Sequence, residues 1–281
     1  MAPWAFFVFA PTVPSELTSG NVSSKTKVVN LTRKSERFGQ KGAGPMKKLF
    51  STTLIVLYLA LNGSAFASTD TNLSCEQMLA YRPEVAVSLH AQAIMGKNFF
   101  GVEEAKKYFN IVPTEEQLLT LSKIPFSDAT LGKCRETHLL ISVFPLSLLD
   151  VREKNKELFY RFRWFVTEDF AKERGDASWQ LVRKTPVPSS LNVPMSDQLI
   201  LMNDNEDVPS ARIMVYAIIG YFLSTSERLF EQTNVRCSDI DLTDFRVYVG
   251  LFDSKGLNIY HNWDGYCRPH IGIASAQNPE F

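Results

Sequence analysis

The sequence predicts an α+β fold, with N-terminal helices followed by a mostly antiparallel sheet packed on a central buried helix. Three observations predict it. Helix-capping patterns concentrate between residues 74 and 134, the segment Ala211 to Leu223 is apolar on all sides, and a period of two takes over beyond Glu227.

At the front, residues 1–45 show neither helical nor strand period. They read as an upstream extension from a misassigned start, or as a disordered leader. Met46, Lys47 and Lys48 then open an apolar run from Leu49 to Leu61, broken by Asn62 and Gly63 and followed by Ala65-Phe66-Ala67. A basic start, an apolar stretch and an A-x-A site together predict a signal peptide over 46–67, leaving a mature domain of residues 68–281 that is exported to the bacterial periplasm or beyond. The run is too short for a membrane anchor, which needs roughly 20 apolar residues, and no span is expected in the mature part. Cys75 lies too far past Ser68 for a lipid-modified N-terminus.

Within the mature part, Ser74 with Gln77 and Thr114 with Gln117 read as capping boxes, and helices are expected near 75–95, 102–109 and 114–122. Ser127 or Asp128 starts a short turn ending near Cys134. His138–Phe144 reads as a buried strand closed by Pro145. Leu158–Val166 fits either a strand or an amphipathic helix, Phe170–Gly175 looks helical, and Trp179–Val187 reads as a strand leaving through Pro186 and Pro188. A possible sub-boundary falls near 184–194, where prolines and serines cluster. Ser196-Asp197 starts a helix through Met202, and a polar loop follows from Asn203 to Pro209. Ala211–Leu223, opened by Pro209 and Ser210, is too short to span a bilayer and is expected to be the central helix. Four strands follow at 229–236, 246–252, 257–263 and 271–274, as an antiparallel meander with a turn at Asp253-Ser254-Lys255-Gly256.

Charge excludes one class of partner. The first 67 residues hold eight of the 30 Lys/Arg and two of the 30 Asp/Glu, so the remainder carries 22 basic and 28 acidic residues and a net charge of −6. With no basic stripe to neutralise phosphates, nucleic acid is not an expected partner. All four cysteines, Cys75, Cys134, Cys237 and Cys267, fall in the mature part, and an even count in an oxidising compartment predicts disulfides. Three pairings are open, and locality favours Cys75 with Cys134 and Cys237 with Cys267. No C-x-x-C or H-x-x-x-H spacing occurs, so neither a metal nor another cofactor is expected.

One cluster stands out, Tyr260 to His270, where half of the histidines, several aromatics, a carboxylate and an arginine fall within eleven residues. Trp and Tyr beside Asp and Asn are the types that stack on and hydrogen-bond to a sugar or peptide. Tyr260, Asn262, Trp263, Tyr266 and Arg268 are the expected ligand-binding residues, and His261, Asp264 and His270 the candidates for catalysis. The bland alternative is a hairpin whose aromatics cover the sheet. A second, acidic cluster comprises Asp204, Glu206 and Asp207, then Asp239, Asp241 and Asp244; the 239–244 run looks loosely like an oxygen-rich calcium loop, but the glycine and closing glutamate of such a loop are missing, and a solvated turn is the simpler reading. G-x-S-x-G, H-E-x-x-H and a complete S-x-x-K set do not occur. Cys134 four residues before His138 offers a thiol–imidazole pair, while Glu168 with Asp169 and Glu173 with Asp176 offer carboxylate pairs that spacing alone cannot select.

The blocks GVEEAKKYFNIVPTEEQLLTLSKIPFS, HLLISVFPLSLLDVR, SWQLVRKTPVPSS, VPSARIMVYAIIGYFLSTSERLFE, VRCSDIDL and VYVGLFDSKGLNIYHNWDG resemble a family of bacterial proteins that share them in this order. The resemblance covers most of residues 99–276 and implies no activity, so it assigns no catalytic residue. Its members often end in an Ala-Ser-Ala-Arg-Lys-like stretch, where this chain has Ala274-Ser275-Ala276-Gln277-Asn278. The sequence therefore predicts an exported, non-enzymatic envelope or extracellular binding protein for a glycan or peptide. The alternative is a secreted hydrolase of a cell-wall or host polymer.

Overall fold

The computed structural model describes residues 83–280. The expected signal peptide, the segment before it, Cys75 and the expected Ser74–Gln77 cap lie outside the described residues. In chain order the elements are α1 (Pro83–Met95), β1 (Phe99–Phe100), α2 (Val102–Phe109), α3 (Glu115–Leu121), α4 (Asp128–Cys134), β2 (His138–Val143), α5 (Leu148–Lys154), α6 (Asp169–Lys172), β3 (Ser178–Arg183), α7 (Met195–Ile200), β4 (Glu206–Asp207), α8 (Ala211–Thr225), β5 (Asn234–Ile240), β6 (Arg246–Asp253), β7 (Gly256–Asn262), β8 (Ile271–Ile273) and β9 (Ala276–Gln277). The class is α+β as predicted, with mostly antiparallel pairing.

The expected caps form. Thr114 and Gln117 make their reciprocal bonds at 3.3 and 3.1 Å, and the Ser127 hydroxyl accepts from Thr130 N–H. At the head of α8 the Ser210 hydroxyl accepts from Ile213 N–H at 3.3 Å and the Asp239 carboxylate from Ala211 N–H at 2.5 Å. Two otherwise orphaned donors of the helix are thereby satisfied where its dipole favours a negative charge.

Two sheets form instead of one. The first has the order β1-β2-β3-β9-β4, the second β7-β6-β5-β8. The helix α8 packs against β1 and β2 of the first and β5 and β6 of the second, which explains why it is apolar all round: from Ala211 to Tyr221 only Arg212 is not fully buried. Contact is close enough at Gly220 that a Cβ there would lie 3.1 Å from the Phe100 ring. The C-terminal part is not a pure meander, because β8 pairs parallel with β5 after crossing over, and the chain then returns to the first sheet as β9.

Other expectations need correction. Leu158–Val166 is neither strand nor helix. Two 3₁₀ turns, Lys156–Leu158 and Trp164–Thr167, lie in and around it, and it runs along the outer edge of β7, with Tyr160 N–H donating to Leu257 O and the Trp164 indole to Ile259 O at 2.8 Å. The strand expected from 229 starts only at Asn234 because Phe230, at φ 53°, turns the chain. The loop 203–209 contains β4, since Glu206 and Asp207 pair with β9. Residues 187–192, in the proline-rich segment, bond to β8 through Val187 N–H to Ile273 O and Asn192 N–H to Ile271 O.

The expected Cys237–Cys267 disulfide is absent. Among the described residues Cys134, Cys237 and Cys267 are all free thiols. Successive side chains on a strand point to opposite faces. Arg236 reaches the loop that carries Cys267 by donating to Tyr266 O, so Cys237 beside it faces away, fully buried in the core. The Cys75–Cys134 pairing lies outside the described residues.

Candidate functional site

The same alternation divides the Tyr260–His270 cluster. In the β6–β7 ladder His261 sits opposite buried Val247, whereas Tyr260 sits opposite Tyr248 and Asn262 opposite Arg246. His261 therefore belongs to the core face of the second sheet, near its end, and Tyr260 and Asn262 to the other face.

On the core face, His261 stacks on Trp164, with ring centroids 3.9 Å apart and planes 13° from parallel, and Phe245 packs beside it at 5.8 Å. Its Nδ1 is hydrogen-bonded to Asp241 Oδ2, while Asp241 Oδ1 accepts from Thr243 N–H and Thr243 O–H, both at 2.7 Å, and from Phe245 N–H at 3.0 Å. Burial pushes the Asp241 carboxyl up, but the bonds from Thr243, Phe245 and His261 outweigh it and hold the group down at about 2. Asp241 is thus a fixed anion that orients one imidazole nitrogen. Asp264 is not the partner of His261. It forms a fork with Arg246 at 3.0 and 3.2 Å, and Arg246 also donates to Ser238 O at 2.7 Å. His270 takes no part in this group and bonds through its backbone, its carbonyl accepting from Asn234 N–H.

On the opposite face, a shallow open cleft of about 360 Å³ is lined by Pro194, Met195, Ser196, Leu199, Arg246, Asp264 and Gly265. Met195 N–H donates to Asp264 O at 2.9 Å and ties the two walls together. Trp263 is 54% exposed; its ring lies against Gly265 of that lining, 6.4 Å from the Phe245 ring, and meets Tyr266 edge-on at 5.2 Å. The Arg268 guanidinium lies 4.4 Å over the Tyr266 ring and donates through Nε to the Tyr266 hydroxyl at 2.9 Å. Tyr260 packs on Tyr248, ring centroids 5.8 Å apart. Of the ligand-binding residues expected from sequence, Trp263, Tyr266 and Arg268 form one group that adjoins the cleft through Gly265, and Tyr260 and Asn262 lie on the sheet face that carries Arg246.

Sequence reasoning missed Trp164, Arg236 and Arg246, and placed Asp241 only in an acidic run. The one available signal was the spacing Asp-x-Thr-x-Phe at 241–245, which suits a carboxylate capping its own turn.

The remaining candidates do not assemble. Burial pushes the Cys134 thiol up, which disfavours the reactive thiolate, and His138 Nδ1 bonds to Thr137 Oγ1 at 2.8 Å. Glu168 accepts from Leu242 N–H at 3.1 Å, while Asp169 is exposed and pairs with Lys172. Among the described residues no three His, Cys, Asp or Glu side chains converge to hold a metal ion, and no helix is long and apolar enough to cross a membrane. Compared with protein-family models, curated proteins and solved structures, the chain matches none.

Proposed function

We propose that this chain is an exported bacterial binding protein that captures a glycan or peptide on the surface formed by Trp263, Tyr266, Arg268 and the cleft beside them. The observation that carries the reading is the half-exposed Trp263, set edge-on to Tyr266 and against Gly265 of the cleft lining. Large aromatics left exposed on a hydrogen-bonded loop supply stacking area at little ordering cost. The Asp264–Arg246 and Arg268–Tyr266 bonds hold the loop in place before any ligand arrives. Export is supported by the Met46–Ala67 pattern, and protein recovered from the producing cell should begin at Ser68 in an intact-mass measurement. The Trp263→Ala variant should melt with the wild type and lose capture on a panel of envelope glycans and peptides. Capture that survives the substitution refutes the surface.

A second reading, a secreted hydrolase, is favoured by one observation. An imidazole oriented by a buried carboxylate, as His261 is by Asp241, is the arrangement of a general base. Under it, His261→Ala abolishes turnover of a cell-wall polymer and leaves binding intact.

A further inference from the structure

Beneath the cleft lies a charge that the binding reading has not used. Arg236 on β5 is only 2% exposed and ranks among the largest fully buried side chains of the protein. Its guanidinium donates to Val193 O at 3.1 Å, Gln198 Oε1 at 2.7 Å and Tyr266 O, all neutral acceptors. Burial lowers its pKa, and Cys267, Asp264 and Tyr248 act against that. Asp264, however, already spends both oxygens on Arg246. A buried cation without a bonded counter-ion leaves part of its field uncompensated in the space nearby, and low-dielectric walls focus it.

That space is the cleft and its aromatic rim. The residues bonded to Arg236, Val193, Gln198 and Tyr266, are interleaved in sequence with the cleft-lining Pro194, Met195, Leu199, Asp264 and Gly265. Arg268 adds a third guanidinium on the exposed side of Tyr266. Against these stand two carboxylates, Asp264 and the exposed Asp197, which accepts from the Ser196 hydroxyl at 3.2 Å. The cations outnumber the anions beside an exposed tryptophan that is available for stacking.

We propose that the ligand of this surface is an anionic glycan, with a sugar ring stacked on Trp263 and its carboxylate held at Arg268 within the field of Arg236. The assignment rests on the binding reading above and adds the substrate class. Carboxylate recognition by a guanidinium is bidentate and charge-assisted. Stacking selects the sugar ring over an acidic peptide, whose extended backbone offers no comparable flat face.

The test is calorimetric titration of the full chain with polygalacturonate, with neutral dextran and with poly-glutamate, at low salt and again at about 0.5 M NaCl, where surface charges are screened. Polygalacturonate alone should bind and should weaken in salt. Arg268→Gln should weaken it at least about tenfold, Trp263→Ala should abolish it, and Arg268→Lys should restore part of the loss. Both positions are exposed, and unchanged melting shows that the variants fold. Salt-insensitive, Trp263-dependent binding of dextran overturns the anionic assignment and leaves the binding surface standing. Binding of poly-glutamate in its place overturns the glycan assignment. Failure of all three probes to bind overturns the anionic-glycan assignment too, and leaves the surface itself to be judged by the Trp263→Ala capture panel.

Discussion

Asp241 shows how much one side chain organises. Its two oxygens close the β5–β6 turn through Thr243 and Phe245 and fix the His261 ring against Trp164. Its carboxyl is held at about 2 against an ordinary 3.8, so the folded state binds its proton more weakly than the unfolded chain does. The resulting stability is fully present above the ordinary value and is lost as pH falls toward 2. The shift corresponds to about 2 kcal/mol. Asp241→Asn should therefore lower the unfolding free energy by about that amount at pH 7, with the gap closing near pH 2, as read from urea melts at both pH values. An equal gap at both would mean that the side chain acts through packing and not through charge. The spacing at 241–245 hints at the turn alone; the pairing with His261 was not visible in the sequence, where Asp241 and His261 stand twenty residues apart and His261 has Asp264 as its nearer acidic neighbour.

The seam of the first sheet is the corresponding feature among the elements. His138 on β2 stands opposite Arg183 on β3, and Glu206 on β4 stands opposite Gln277 on β9, so these side chains form a polar row across four strands, buried at His138 and Glu206 and partly exposed at Arg183 and Gln277. Glu206 accepts from Gln277 at 2.8 Å and from Asn203 at 3.1 Å, has Arg183 at 3.4 Å, and lies 3.7 Å from His138 Nε2, which has no hydrogen-bond partner among the described residues. Burial, with the cations Arg183 and Lys184, drives the His138 pKa down to about 4 against the opposing pull of Glu206. The neutral form is favoured by folding, so the associated stability is present above pH 6.5 and drains away toward pH 4. That is about 3 kcal/mol at most. His138→Gln should flatten the acid side of the stability profile between those limits, and a variant as acid-sensitive as the wild type would show that the seam titrates elsewhere. The strand His138–Val143 was legible from its β-branched and aliphatic run. The short strands β1, β4 and β9 of the same sheet were not, because two-residue strands carry no period and exist only through the neighbours they pair with.

For the whole molecule, the C-terminus closes the fold. After β8 the chain crosses from the second sheet to the first, and Glu280 reaches α4, accepting from Ser127 N–H at 2.7 Å and from the Thr130 hydroxyl. Deleting residues 275–281 should expose the edge of β3 and uncap α4. Loss of the two Glu280 bonds alone is about 2 kcal/mol, so with β9 also gone Tm should fall by at least about 4–8 °C, and hydrogen exchange should accelerate at 127–134, far away in sequence. Unchanged exchange there would show that the tail only rests on the surface. The sequence by itself determined the class, the capped helices, the buried helix α8, the turn at Asp253–Gly256 and the choice of the 260–270 loop as the candidate site. Each of these follows from local patterns: a cap, a hydrophobic period, a turn residue or a dense run of functional side chains. Only the tertiary structure decided that α8 lies between two sheets, that His261 pairs with Asp241 and not Asp264, that Cys237 and Cys267 stay apart, and that Arg236 lies buried beneath the cleft. All four depend on which face of a strand each side chain takes and on which distant strand lies beside it, and no local pattern encodes that.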